Sequence, residues 1–142
     1  MFTATTARFV VAAIAASFVA VPVWAATARC GGSALCSSSV VNGDSPAQGL
    51  LDTISGLQQR SSRPYSEGQP IACFNNICAH YSNTHGRTFT ADQALAHGHQ
   101  IVDMGCNTCG VVEFGGSTAS GPTRFIFGYS VGAGYCANNC AA

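Results

Sequence analysis

The chain of 142 residues has no lysine, and its six arginines are matched by six acidic side chains, so charged residues make up only 8%. A neutral chain this poor in cations offers no basic footprint for phosphate backbones, which sets nucleic acid aside as a partner. Disorder is excluded from the other side: 47% apolar residues with no net charge lie far from the composition of unfolded chains. No Asn-x-Ser/Thr acceptor occurs. Near variants such as Asn107-Thr108-Cys109 and Asn138-Asn139-Cys140 end in cysteine, so little or no N-linked glycan is expected. There is no Cys-Cys doublet of the kind that marks hydrophobins, no internal repeat, and one tryptophan, Trp24.

Against these absences stand eight cysteines. In a chain long enough for one domain they point to an exported, disulfide-stapled protein. The N-terminus agrees. Arg8 precedes an apolar run from Phe9 to Val21, Pro22 breaks it, and Val23-Trp24-Ala25 sets small residues where a signal peptidase cuts. Residues 1–25 therefore read as a secretory leader, with a second possible cut after Ala28, and residues 26–142 as the mature domain. The run is shorter than the roughly 20 residues of a membrane span, and all eight cysteines survive cleavage. A secreted, extracellular monomer is expected.

Along the mature chain, the Ser- and Gly-rich stretch from Arg29 to Asp44 needs Cys30 and Cys36 to hold it. Ser45-Pro46-Ala47-Gln48 reads as a capped helix start with Gln48 closing a capping box, followed by Leu50, Leu51, Ile54 and Leu57 at helical spacing; Gly49 and Gly56 weaken the pattern. A polar loop runs from Gln58 to Gly68, and Pro70 to Phe74 forms a short strand. Asn75 or Asn76 is expected to cap a short helix through Tyr81, ending near Gly86. Thr90-Ala91-Asp92-Gln93 opens the clearest helix, with Ala91, Ala94, Leu95, Gly98, Ile101 and Val102 on one face and a stop at Gly105. Val111 to Phe114 and Arg124 to Val131 read as strands, the latter with Phe125, Phe127, Tyr129 and Val131 on its buried face. Strands and helices do not alternate as βαβ units, which favours an α+β fold with a mainly antiparallel sheet.

The cysteines fall into close pairs: Cys30/Cys36, Cys73/Cys78, Cys106/Cys109 and Cys136/Cys140. Such spacing suits zinc in a reducing compartment, but the export signal argues for structural bridges, and no metal or cofactor is expected. Cys106-Asn107-Thr108-Cys109 follows a helix rather than opening one, unlike a redox pair whose thiolate is stabilised by a helix N-terminus. Spacing alone leaves 105 connectivities for eight cysteines.

Three motifs carry a resemblance. Cys-Gly-Gly-Ser-Ala-Leu-Cys at Cys30 to Cys36, Glu-Gly-Gln-Pro-Ile-Ala-Cys at Glu67 to Cys73, and Gly-Cys-Asn-Thr-Cys-Gly at Gly105 to Gly110 together resemble the killer protein 4 family, the smut-fungus killer toxins and their secreted relatives. The strand from Phe125 to Tyr129 is similar in place and pattern, and the likeness runs from Cys30 to Cys140. It implies a small disulfide-rich α/β sandwich, an antiparallel sheet with two antiparallel helices and no catalytic site, in a toxin that interferes with calcium channels of competing cells. It also implies bridges Cys30–Cys106 and Cys36–Cys109, leaving Cys73 and Cys78 to pair with Cys136 and Cys140 in an order left open. The chain departs from the family in one respect. The founding toxin is basic and carries a functional lysine before the cysteine matched by Cys73, where this chain has Ile71 and Ala72. Arg60 and Arg63, in the polar loop, are the candidates for contact with the membrane channel of a target cell.

Two other function classes have candidate residues in the chain. A small secreted ribonuclease would draw on His80, His85, His97, His99, Glu113 and Arg87. On a helix, however, His97 and His99 point about 160° apart and read as solvated edges, and His80 and His85 flank the end of the short helix. A wall- or glycan-binding module would need aromatic platforms, for which Tyr65, Tyr81 and Tyr135 are available.

Overall fold

The computed structural model describes residues 26–40, 43–58, 63–116 and 119–137. The expected leader, Arg60 and Cys140 lie outside the described residues. Among the described residues the elements follow in order: β1 (Thr27–Cys30), a 3-10 helix (Ala34–Ser39), α1 (Pro46–Gln58), β2 (Ala72–Phe74), β3 (Ile77–Ser82), α2 (Ala91–Asp103), β4 (Gly110–Phe114), β5 (Thr123–Tyr129) and β6 (Cys136–Ala137). The strands form one antiparallel sheet in the order β1-β4-β5-β3-β2-β6. It is a small disulfide-rich α+β fold.

Both helices begin as their sequences predict. At α2 the capping box is complete: Thr90 Oγ1 accepts from the Gln93 amide, and Gln93 Oε1 accepts from the Thr90 amide. At α1 it is half made. Ser45 Oγ accepts from the Gln48 amide, but the Gln48 side chain donates to Asp52 instead of reaching back. Of the two glycines that weaken the α1 pattern, Gly56 meets nothing within 4 Å of a built Cβ, whereas Gly49 has a packing reason, as does Gly98 on the apolar face of α2. A Cβ on Gly49 would lie 2.5 Å from the Phe74 ring, and one on Gly98 would lie 2.8 Å from Leu51 Cδ1 and 3.1 Å from Phe127 Cζ. These bare positions let α1 close onto β2, and α2 onto both α1 and β5.

The short helix expected after Asn75 is a strand. Asn75 and Asn76 both take positive φ, 48° and 62°, and form the two-residue turn of a hairpin in which Phe74 faces Ile77 and Cys73 faces Cys78. β3 is also the central partner of β5, and its residues Ile77, Ala79 and Tyr81 are buried. Alternation across the sheet outweighed the capping potential of asparagine. His80 consequently lies on a strand and His85 in the turn after it, with positive φ, rather than beside a helix end.

The hairpin also corrects the third disulfide. Cys73 is bridged to Cys78, not to either of the C-terminal cysteines. The physical reason is register: the two residues sit directly opposite each other, with Cα atoms 4.0 Å apart. Cys136 is itself disulfide-bonded.

At the N-terminal end, Cys30 is bridged to Cys106 and Cys36 to Cys109, clasping β1 and the 3-10 helix to the turn between α2 and β4. The same turn fastens α1, because the Asn107 carbonyl accepts from the Ala47 amide and from the Ser45 hydroxyl.

The centre of the core is aromatic. Tyr81 stacks on Phe89 with centroids 4.0 Å apart and touches Phe125 at 4.8 Å. Its hydroxyl bonds His97, whose ring stacks on Phe114 at 4.2 Å. His97 is therefore not a solvated helix edge; at about 100° per residue it lies only about 40° from Ile101 on the wheel, close enough to turn inward. His99 does lie exposed. Two of the proposed glycan platforms, Tyr65 and Tyr81, are fully buried, while Tyr135 is 69% exposed. β5 ends at Tyr129, which leaves Val131 outside the strand and 83% exposed rather than on its buried face.

Candidate functional site

Strand alternation sorts the sheet into two faces. Ala28, Val112, Phe125, Phe127, Ala79, Tyr81 and Ala72 face the helices. Arg29 on β1, Val111 and Glu113 on β4, Arg124, Ile126 and Gly128 on β5, and His80 and Ser82 on β3 alternate to the other face. The buried residues of α1 and α2 pack with the first set, on the opposite face.

One charged group organises it. Glu113 Oε1 accepts from Arg29 Nη2 at 3.0 Å and from Arg124 Nε at 2.9 Å. Register explains the meeting, since Glu113 sits opposite Arg124 on one side and Thr27, two residues from Arg29, on the other. The guanidinium side chains are 59% and 48% exposed, whereas the carboxylate is only 20% exposed. The cluster thus presents two cations over one sheltered anion.

Beside it runs a trough of about 470 Å³, lined by Arg29, Gly31, Val111, Arg124, Ile126 and Gly128 among others. A second hollow of about 300 Å³ continues from Gly128 and Tyr129 toward His80 and Pro70. The two hollows share Gly128 and Tyr129 in their linings, and a Cβ on Gly128 would stand 3.3 Å from Ile126 Cγ2 and 3.6 Å from His80 Cε1. Burial pulls the His80 imidazole below its usual pKa, with a backbone hydrogen bond at Cys78 opposing the shift, so the histidine adds no charge near neutrality.

The residues weighed for a ribonuclease are dispersed. His97 is in the aromatic core, and His85 Nε2 bonds the Gly121 carbonyl in an exposed turn. Arg87 donates to the Thr84 carbonyl and to Thr123 Oγ1 and lies over the Phe89 ring, so it braces the turn after β3. Glu113 is engaged by the two arginines. Among the described residues no group of His, Cys, Asp or Glu is placed to hold a metal ion.

Of the two loop arginines, Arg63 is described, and its guanidinium lies 5.4 Å from the Tyr65 ring centroid. Sequence reasoning had not singled out Arg29 with Arg124. The signal for Arg124 was its outward position in an alternating strand. For Arg29 there was none, because β1 is only four residues long.

No helix among the described residues is long and apolar enough to cross a membrane. The Kp4 family model matches residues 10–120, a span that includes both bridges of the N-terminal clasp and the β2–β3 hairpin. No curated protein matches the chain.

Proposed function

The chain belongs to the Kp4 family, and from that premise we propose that it is a secreted killer-toxin-like protein that inhibits growth of competing or host cells by interfering with their calcium channels. The family match over residues 10–120 carries this reading. Export is supported by the leader pattern at residues 1–25 and by a fold clasped by disulfides, which persist in oxidising compartments. Cleavage after Ala25 is favoured over cleavage after Ala28. The second cut would remove half of β1 and two alanines, Ala26 and Ala28, that pack against the core.

A channel mouth that attracts cations is acidic, so a protein that docks there without lysine must rely on arginine. The mature chain has Arg29, Arg60, Arg63, Arg87 and Arg124. Arg87 is spent on the turn after β3. Arg60 and Arg63 in the polar loop, and Arg29 and Arg124 on the sheet, are the candidate cations for contact with a target. The glycan-binding reading has less support, since only Tyr135 of its three tyrosines is exposed.

The test is growth inhibition by the purified, oxidised protein on a panel of fungal and plant cells. Inhibition relieved by added external calcium is expected. Inhibition indifferent to calcium removes the channel mechanism. A panel left unharmed, with protein retained on chitin or glucan or releasing nucleotides from RNA, replaces the toxin reading with a binding module or a nuclease.

A further inference from the structure

We propose that the trough between β1, β4 and β5 is a carboxylate-binding site that docks an extended acidic segment of the target protein, with Arg29 and Arg124 holding one of its Asp or Glu side chains. The inference rests on the toxin reading for its target, but the site is argued from its own geometry.

Charge comes first. On this face of β1, β3, β4 and β5, Glu113 is the only acid, and one of its oxygens serves both arginines. Glu67, in the loop before β2, is committed elsewhere: it accepts from the Asn83 and Thr84 amides and the Thr84 hydroxyl. The cluster therefore keeps a net positive charge. Each guanidinium also keeps several N–H donors beyond the one given to Glu113.

Orientation comes second. Glu113 pulls both guanidiniums to a single point, which removes part of the rotamer freedom that a second carboxylate would otherwise have to restrict. An anion arriving from solvent meets a preset pair rather than two independent side chains.

Shape comes third. Val111, Ile126 and the bare backbone at Gly31 and Gly128 give the trough low apolar walls. An ion pair formed against such walls is shielded from water and gains more than one formed on an open surface. The second hollow, toward His80 and Pro70, shares Gly128 and Tyr129 with the trough, so the two lie side by side on the sheet. Such a form suits an extended chain better than a lone anion.

Two blocked peptides with the sequences Gly-Glu-Glu-Gly and Gly-Gln-Gln-Gly provide the probe, titrated into labelled protein at low salt and followed by NMR. The Glu peptide should shift the amides of Val111, Ile126 and Gly128 and the Nε–H signals of Arg29 and Arg124. The Gln peptide should bind at least tenfold more weakly, and R29Q/R124Q should abolish the response while its melting temperature and near-UV spectrum stay close to those of the parent. Equal shifts with both peptides, shifts scattered over the surface, or a response that survives in R29Q/R124Q would overturn the site. Growth assays separate this failure from that of the toxin reading. A parent protein that inhibits cells but binds no acidic peptide loses the site and keeps the function; one that binds the peptide but inhibits nothing keeps the site and loses the function. Among variants, R29Q/R124Q should lose inhibition and R60Q/R63Q should retain it, and the reverse pattern would return recognition to the polar loop.

Discussion

The hydroxyl of Tyr81 on β3 lies 2.9 Å from Nδ1 of His97 on α2, joining sheet to helix through the aromatic core. Burial acts on both partners in the same sense. It pulls His97 down to about 4 and pushes the Tyr81 phenol upward, so each is held neutral. Two neutral groups satisfy the bond in either tautomer: the phenol donates to a bare Nδ1, or an Nδ1–H donates to the phenol oxygen.

This pair makes stability depend on pH. In the unfolded chain His97 titrates near 6.5, and in the fold at about 4. Between those values the unfolded state binds the extra proton, so stability is complete above the upper value and declines as pH falls toward the lower one. The melting temperature should therefore drop between pH 6.5 and pH 4, and His97→Gln should flatten that part of the profile. Tyr81→Phe deprives the buried imidazole of its partner and should cost about 1–3 kcal/mol at neutral pH. A variant with an unchanged acid profile would show that His97 does not carry the dependence.

Glycine replacement should change sign along a single helix. Gly56 has nothing within 4 Å of a built Cβ, and Gly56→Ala should stabilise by up to about 1 kcal/mol through helix propensity. Gly49→Ala gains the same propensity but drives a methyl group into the Phe74 ring, 2.5 Å away. Overpacking of that kind costs about 1–3 kcal/mol, so the net effect should be destabilising. Urea denaturation of the two variants measures both, and a stabilised Gly49→Ala would mean that Phe74 yields more easily than its position between α1 and the hairpin suggests.

What sequence could and could not reveal follows from the range of the forces involved. Capping boxes and 3.6-residue periodicity are local, and α1 and α2 begin where Ser45 and Thr90 indicate. The alternation of Phe125 and Phe127 likewise reported a half-buried strand. The segment after Asn75 misled because asparagine is favoured both as a helix cap and in left-handed turns, and the choice was made by pairing with β5, some fifty residues away. His97 was misplaced for a related reason: a polar residue beside an apolar stripe stays exposed unless another element supplies a partner, and Tyr81 does. The Arg29–Glu113–Arg124 cluster joins residues up to 84 apart and has no local signature, so the candidate site was the least legible part of the chain.

The disulfides should differ in importance, and their hierarchy tests the pairing as well as the energetics. Cys30–Cys106 and Cys36–Cys109 close loops with separations of 76 and 73 residues, whereas Cys73–Cys78 closes one of 5. Loop-closure entropy makes each long bridge worth roughly 4–5 kcal/mol and the hairpin bridge roughly 2 kcal/mol. Against a total of about 5–15 kcal/mol for a domain, C36A/C109A should bring unfolding close to ambient temperature, while C73A/C78A should remain folded with a lowered urea midpoint. Mass mapping of a non-reduced digest should find Cys73 and Cys78 closed within one peptide and unlinked to the peptide carrying Cys136. Recovery of a Cys73–Cys136 link would restore the pairing implied by the family resemblance. A hairpin variant less stable than the clasp variant would mean that the β2–β3 turn depends on its covalent bond and not on Asn75, Asn76 and the pairing with β5. Full reduction removes every bridge at once, so it should abolish the near-UV signal of the Tyr81 cluster at neutral pH.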